Sequence, residues 1–152
     1  MIAVLQRVNE AAVTADGTPA GACGEGLLVL LGVAVGDTAE DARLLADKIA
    51  ALRIFCDEKG KMNRSVVDIG GGALVVSNFT LLANYRHGNR PDYLSAAAPG
   101  EAKALYETFT ALLREQVGRV QTGVFGADMR ICMTADGPVT IVMDSQTLRK
   151  KA

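Results

Sequence analysis

Two short segments carry most of the chemistry this chain can offer. One is Ser77-Asn78-Phe79-Thr80-Leu81, which ends the apolar run Ala73-Leu74-Val75-Val76. The other is Asp136-Gly137-Pro138-Val139-Thr140, which opens the run Ile141-Val142-Met143. Around them there is little for conventional catalysis to use. The chain has one histidine and no tryptophan. It has no metal-spaced set of Cys and His and no phosphate-binding glycine loop. An active site built from these residues is made mainly of backbone groups and hydroxyls, and neither a metal nor a cofactor is expected.

Ser77 and Thr80 stand at a strand end, where hydroxyls commonly satisfy turn backbone groups. To serve as a nucleophile, either needs a base within hydrogen-bond reach. The sole histidine, His87, lies in the basic loop Arg86-His87-Gly88-Asn89-Arg90, where a surface or anion-contacting role suits it better than that of a base. Gly137-Pro138 reads either as a hairpin turn or as a cis peptide aiming backbone atoms into a cavity, since the cis form is inexpensive only before proline. Phe125 and Met129 flank Gly126-Ala127-Asp128 and read as core or as a slot for a flat base, which needs only a π-face to stack on. Arg7 falls in a strand heading for the core. Buried, it needs a partner or several carbonyls and can brace a loop such as the Gly-Pro turn. An exposed edge position is the alternative.

The elements that must position these groups follow from pattern. Residues 1–15 read as a long strand, Asp16-Gly17 as a hairpin turn, residues 18–23 as the return strand, and Gly24-Glu25-Gly26 as a turn into the apolar run of 27–35. Asp37 or Thr38 is the expected N-cap of a helix with Glu40 and Asp41 in its first turn. Ala42, Leu45, Ala46, Ile49 and Leu52 carry that helix to about Ile54. Gly70-Gly71-Gly72 breaks the chain before the 73–76 strand. Residues 84–99 form a long loop, a length that is often functional. Pro99 and Gly100 introduce a second helix with the stripe Ala102, Leu105, Tyr106, Phe109, Leu112 and Leu113. Strands are expected at 120–122, 129–134 and 139–143. This pattern predicts an α+β fold of mainly antiparallel sheets packed with two helices. Residues 1–145 form its single domain and 146–152 a short basic, frayed tail.

Composition narrows the function. Of 152 residues, 49% are hydrophobic and 22% charged, as in globular domains. The longest apolar run, Leu27 through Leu31, is far short of the roughly 20 residues of a membrane span, and the first residues do not resemble a signal peptide. A cytoplasmic protein with no membrane partner is expected. Cys23, Cys56 and Cys132 form no CxxC pair and read as small core residues. The formal net charge of −1 argues against clamping a duplex along its length, while leaving open a grip on the end of a nucleic acid.

Taken in order, Gln6-Arg7-Val8, the run 26–32, Arg53-Ile54-Phe55, Gly60-Lys61-Met62-Asn63, Arg90-Pro91, Gly126-Ala127-Asp128-Met129 and Asp136-Gly137-Pro138-Val139-Thr140 resemble the D-aminoacyl-tRNA deacylase family, also called D-tyrosyl-tRNA deacylases. The resemblance spans nearly the whole chain. It implies a layered β-β-α sandwich and a homodimer with active sites at the subunit interface, acting on the aminoacyl-tRNA 3′ end. Ser77, Phe79 and Thr80 would be the catalytic segment. Asn78, Phe125 and Met129 would hold the terminal adenosine. Gly137 and Pro138 would reach in, cis, from the partner subunit and exclude an L side chain. Arg7 would hold that motif in place. Two residues depart from the family pattern: Asn78 replaces a glutamine, and Ala135 stands where an asparagine commonly precedes Asp-Gly-Pro. The reaction implied is hydrolysis of D-aminoacyl-tRNA, and of glycyl-tRNA, assisted by the tRNA 2′-hydroxyl and by backbone amides near Phe79 and Thr80. Thr80 as covalent nucleophile is the rival mechanism. The competing functions are a non-catalytic nucleic-acid-binding protein on the same fold, clearance of L-alanine from tRNA, and hydrolysis of unrelated esters through Thr80.

Overall fold

The computed structural model describes residues 1–149. Strand β1 (Ile2–Ala15) is the axis of the fold. It turns at Asp16 and Gly17, both in the left-handed region at φ +49° and +81°, into β2 (Thr18–Cys23). Strand β3 (Gly26–Gly32) then pairs antiparallel with the first half of β1, from Ile2 opposite Gly32 to Val8 opposite Gly26. Helix α1 (Ala39–Ala51) follows, and a two-stranded sheet of β4 (Phe55–Cys56) and β5 (Met62–Arg64) leads toward β6 (Gly72–Ser77). A 3₁₀ turn at Phe79–Leu82, helix α2 (Pro99–Gln116), β7 (Val120–Thr122) and β8 (Met129–Asp144) complete the order. A 3₁₀ turn at Ser145–Thr147 closes it.

The class is α+β, but the main sheet is mixed rather than mainly antiparallel. Its strand order is β2-β1-β3-β6-β7, with β8 along the other edge of β1. Both β3 with β6 and β6 with β7 run parallel. Each of those steps is a crossover carrying a helix, which is what lets successive strands point the same way. Alternation along β3 and β6 divides the core in two. Leu27, Val29, Leu31, Ala73 and Val75 face the helices with Leu45, Ile49, Phe109 and Leu113. Leu28, Leu74 and Val76 face the other way and pack against Val8, Ala11 and Val13 of β1. The N–H of Ala22 on β2 donates to the side chain of Gln121 on β7 (2.8 Å), so the ends of the sheet nearly meet.

Three elements end differently from expectation. Helix α1 stops at Ala51, with Leu52 extended at ψ 122°. The carbonyl of Ile54, freed from helical bonding, accepts from Arg7 Nη1 at 2.7 Å. The two expected final strands are one, β8, which follows β1 along its whole length. The Gly-Pro segment is therefore an excursion from a continuous strand and not a hairpin. The cysteines are not core residues: Cys56 and Cys132 are exposed and only Cys23 is half-buried, because Cys132 sits opposite exposed Ala12 on the outer face of β1 and β8.

Arg149, expected in a frayed tail, is instead tied to the fold; Lys150 and Lys151 lie outside the described residues. Its guanidinium donates to both oxygens of Asp41 (2.6–3.0 Å). Asp41 is fully buried and also accepts from the Ser145 hydroxyl (2.8 Å) and from the Thr38 N–H (2.8 Å), closing the N-terminus of α1. Burial opposes ionisation of Asp41, but the hydrogen bonds from Arg149, Thr38 and Ser145 outweigh it and hold the carboxyl well below the usual carboxylate range.

Asp41→Asn is expected to cost about 1–3 kcal/mol at pH 7, the penalty for weakening hydrogen bonds to a buried charged group. Because the folded pKa lies below the unfolded value, near 3.9, this stabilisation is complete above about pH 5 and fades as pH falls below that value. Urea unfolding should show the gap between variant and parent narrowing by pH 3. A gap that is constant with pH would mean that the carboxylate charge contributes nothing.

Candidate functional site

The parallel strands place the end of β6 beside the end of β3. The N–H of Asn78 donates to the carbonyl of Leu31 (2.8 Å), so the segment after Ser77 is pinned as it leaves the sheet. Gly32 makes room for it: a Cβ there would lie 2.6 Å from Leu82 Cδ2 and 2.9 Å from the carbonyl oxygen of Asn78. Phe79 and Thr80 are the first residues of the 3₁₀ turn, so their N–H groups have no partner within it. Asn78 stands at the N-cap, but its side chain does not cap the turn. It accepts instead from the Thr80 hydroxyl. The two residues tie each other down, and no base is hydrogen-bonded to Thr80 among the described residues.

This turn forms one wall of a cleft of about 600 Å³, a volume within the range of ligand sites. Ser77, Asn78 and Phe79 line it, Phe125 lines it from the segment between β7 and β8, and Met129 from the start of β8. Five of the residues singled out from the sequence are thus brought together. The 79 side chain is 58% exposed and is held edge-on by Tyr93, with ring centroids 5.0 Å apart and planes at 73°. Phe125 leans on Tyr106 at 5.8 Å. The third wall is Ala96, Ala97 and Ala98, held by the Ala97 N–H donating to the Val33 carbonyl and the Val35 N–H donating to the Ser95 carbonyl, each at 2.9 Å. None of the residues lining the cleft is charged.

Tyr93, Tyr106 and the alanine wall are parts of the site that sequence reasoning missed. In the sequence Tyr106 reads as part of the apolar stripe of α2. A tyrosine on such a stripe needs a partner for its hydroxyl, and that was the available signal. Its hydroxyl donates to the Val75 carbonyl at 2.9 Å. Burial pushes the phenol up to about 12, so it stays neutral and acts as a fixed strut. Tyr93 lies in the long loop with no pattern around it to mark it. His87 is exposed in that loop and does not line the cleft.

Arg7, Gly137 and Pro138 form a second grouping that does not line this cleft. Gln6 pairs with Thr140 and Val8 with Ala135, so residues 136–139 bulge out opposite Arg7 alone. Arg7 is buried. Its Nε donates to the Asp136 carbonyl (3.3 Å) and forms an ion pair with the Asp136 carboxylate (3.1 Å), while Nη1 holds the Ile54 carbonyl. The Gly137–Pro138 peptide is cis. Gly137 sits at φ +130°, and a Cβ there would lie 2.8 Å from the Val139 N and 3.4 Å from Arg7 Nη2. Arg7 therefore braces a rigid, exposed backbone protrusion.

Comparison with known proteins places this geometry among relatives. A family model described as D-Tyr-tRNA(Tyr) deacylase matches residues 4–144. A D-aminoacyl-tRNA deacylase of Anaeromyxobacter dehalogenans (strain 2CP-C) is 60% identical across 97% of this chain and 99% of its own. Another from Deinococcus deserti is 58% identical across 95% and 99%. Among solved structures, one named c-Myc DNA Unwinding Element Binding Protein superposes with a TM-score of 0.89 at 39% identity, covering 95% of this chain and 98% of that one. A structure described as a probable eukaryotic D-amino acid tRNA deacylase shares the fold, with a TM-score of 0.80 at 17% identity over 93% and 97% of the two chains. The match of both the family model and full-length relatives establishes that the chain belongs to the D-Tyr-tRNA(Tyr) deacylase family.

Proposed function

We propose that this protein hydrolyses the ester joining a D-amino acid to the 3′ end of tRNA, releasing free tRNA and the amino acid, and so removes the wrong enantiomer before translation can use it. The observation that carries this reading is the uncharged cleft with Ser77, Asn78 and Phe79 on one side and Phe125 and Met129 on the other, in a chain of this family. Phe125 and Met129 offer an aromatic ring and a thioether to a terminal adenosine, surfaces suited to a flat base. A cytoplasmic setting accords with this substrate. No helix among the described residues is long and apolar enough to cross a membrane.

The chemistry is an attack of water on the ester carbonyl carbon, with the bond to the 3′ oxygen breaking and that oxygen taking a proton. The ester is activated, and the neighbouring 2′-hydroxyl of the substrate positions the water. The amides of Phe79 and Thr80 receive the developing oxyanion. A single donor of this kind is worth roughly 10²–10³ in rate. Two features support substrate assistance over a Thr80 nucleophile: the Thr80 hydroxyl is engaged with Asn78, and the cleft walls carry no charged base.

The working unit in this reading is a homodimer in which Gly137-Pro138 of one copy enters the cleft of the other. The Arg7-braced protrusion supports it, because it is stiff and does not line the cleft of its own chain. The open edge of β8 supports it too. Among the described residues that strand pairs only with β1 and exposes Ile131, Met133 and Val142, the last 71% exposed, a surface that natural proteins normally cover. A backbone wall at the α-carbon rejects an L side chain by lack of room and makes no demand on a D side chain. A second reading, a nucleic-acid-binding protein without activity, draws on the neighbour named for DNA-element binding. Tight binding to duplex DNA at physiological salt would favour it.

With matched D-tyrosyl-, L-tyrosyl- and glycyl-tRNA, the protein is expected to release the D-amino acid and glycine and to leave the L ester intact. Glycyl-tRNA surviving alongside L-tyrosyl-tRNA would show that the D side chain is recognised positively, and survival of all three would end the enzymatic reading. Thr80→Ala is expected to keep turnover within about tenfold of the parent. Abolished turnover with folding and tRNA binding intact would return Thr80 to the role of nucleophile. Gly137→Ala forces the protrusion to shift against Val139 and Arg7, and a displacement near 1 Å can cost on the order of 10²-fold in rate. D-tyrosyl-tRNA turnover should fall accordingly, and an unchanged rate would remove this segment from the site.

A further inference from the structure

Residues 85–91, Tyr-Arg-His-Gly-Asn-Arg-Pro, form a projecting finger that contains two arginines and no acidic residue, in a chain of net charge −1. Its neck is a pinched pair. Asn84 and Asp92 exchange backbone hydrogen bonds at 2.8 and 2.9 Å, and the Asn84 amide nitrogen donates to the Asp92 carboxylate at 3.0 Å. The other oxygen of that carboxylate accepts from the Leu94 N–H, so Asp92 is spent on the neck. Gly88, at φ +70°, turns the tip. Both strands of the neck run directly into the walls of the cleft: the Phe79–Leu82 turn precedes it, and Tyr93, packed on Phe79, follows it.

At the foot of the finger is a second hollow of about 430 Å³, lined by Leu82, Ala83, Asn84, Tyr85, Arg86 and Ser95. Tyr85 is 79% exposed beside it, and the Arg86 N–H is held by the Asn84 side chain at 3.2 Å. An exposed aromatic ring next to a cation, Arg86, with a second arginine, Arg90, on the same braced loop, is a combination that suits single-stranded nucleic acid: bases stack on the ring and phosphates meet the guanidinium groups.

We propose that this finger and hollow bind the single-stranded RNA immediately 5′ of the terminal nucleotide, with a base on Tyr85 and phosphates on Arg86 and Arg90. The assignment rests on reading the main cleft as the terminal-adenosine site. An RNA strand ending in that cleft must leave it past a rim, and the finger grows from that rim. The chain needs no general basic surface for this, because only a few phosphates near the 3′ end are gripped. That reconciles a nucleic-acid substrate with a slightly acidic protein.

The test is binding of a fluorescent RNA hairpin bearing a single-stranded 3′-CCA end, compared with the blunt hairpin, over a salt series. For Arg86→Gln/Arg90→Gln, affinity for the overhang hairpin at low salt should fall about tenfold or more, and the slope of log affinity against log salt should flatten by about 1.4, the worth of two phosphates on a single strand. Tyr85→Ala should cost about tenfold with the slope unchanged. Lys59→Gln/Lys61→Gln, which removes two exposed charges elsewhere, should leave binding as it was. Parent-like binding by the arginine variant, equal loss in the lysine variant, or equal loss on the blunt hairpin would each overturn the proposal. Hydrolysis of D-tyrosyl-tRNA is scored separately. An inactive parent whose overhang binding depends on the finger defeats the enzymatic reading and leaves the finger standing. An active parent whose binding ignores Arg86 and Arg90 does the reverse.

Discussion

The buried guanidinium of Arg7 is the constraint around which the rest of the structure is arranged. A charge taken out of water must be met by acceptors on several sides, or its desolvation dominates. Here the acceptors come from two separate parts of the chain. Ile54 offers its carbonyl because α1 ends at Ala51, and Asp136 offers both its carbonyl and its carboxylate because β8 departs from regular pairing. Arg7 itself lies on β1, between the two residues where the β1–β8 register shifts. A single ionic centre thus ties the segment after a helix to the bulge of a strand. It also fixes how the exposed Gly137-Pro138 backbone is held.

The cleft depends on a different constraint, the parallel pairing of β3, β6 and β7. Parallel strands bring like ends together, and ligands in such sheets gather beyond the carboxyl ends. Leu31 and Val33 near the end of β3, Ser77 at the end of β6 and Phe125 beyond β7 meet there. Helix α2 starts at the same edge, so Pro99 and Ala102 close the wall while Tyr106 reaches down to the Val75 carbonyl. An entirely antiparallel sheet would scatter these residues over both ends. The parallel pairing of β3, β6 and β7 is therefore what explains why the cleft exists.

Local signals in the sequence mark several elements directly. Asp16-Gly17 marks its hairpin, Pro99 its helix start, and most of the apolar stripe of each helix is buried, Leu52 and Leu105 only partly. Ser77 through Phe79 and the pair Phe125 and Met129 could be picked out as site candidates, and the structure assembles them. What could not be read depends on long-range pairing. Nothing near Ile54 says that its carbonyl is needed by Arg7, so periodicity alone carries the helix too far. Gly137-Pro138 between two apolar runs reads locally either as a hairpin or as a cis peptide, and only the continuous partner strand β1, which keeps β8 in line, decides against the hairpin. Tyr93 touches Phe79 across a turn and most of a loop, and Arg149 finds Asp41 across more than a hundred residues; neither contact has a local signature.

The two groupings divide the proposed task in a way that fits their materials. The cleft offers apolar and aromatic surface with no charge of its own, which suits it to hold a nucleoside and leaves ionic contact with the RNA to groups outside it. The Arg7-held protrusion presents backbone and a proline ring, which in the proposed dimer would leave no side chain free to rotate aside and admit the wrong enantiomer. Rejection by a wall would require that the wall stay in place, and Arg7, bonded to Asp136 on one side and to the Ile54 carbonyl on the other, ties it to the body of the fold. A site of this kind places few demands on reactive side chains and heavy demands on backbone position. That is why the candidate catalytic residues, judged only by side-chain chemistry, look so plain.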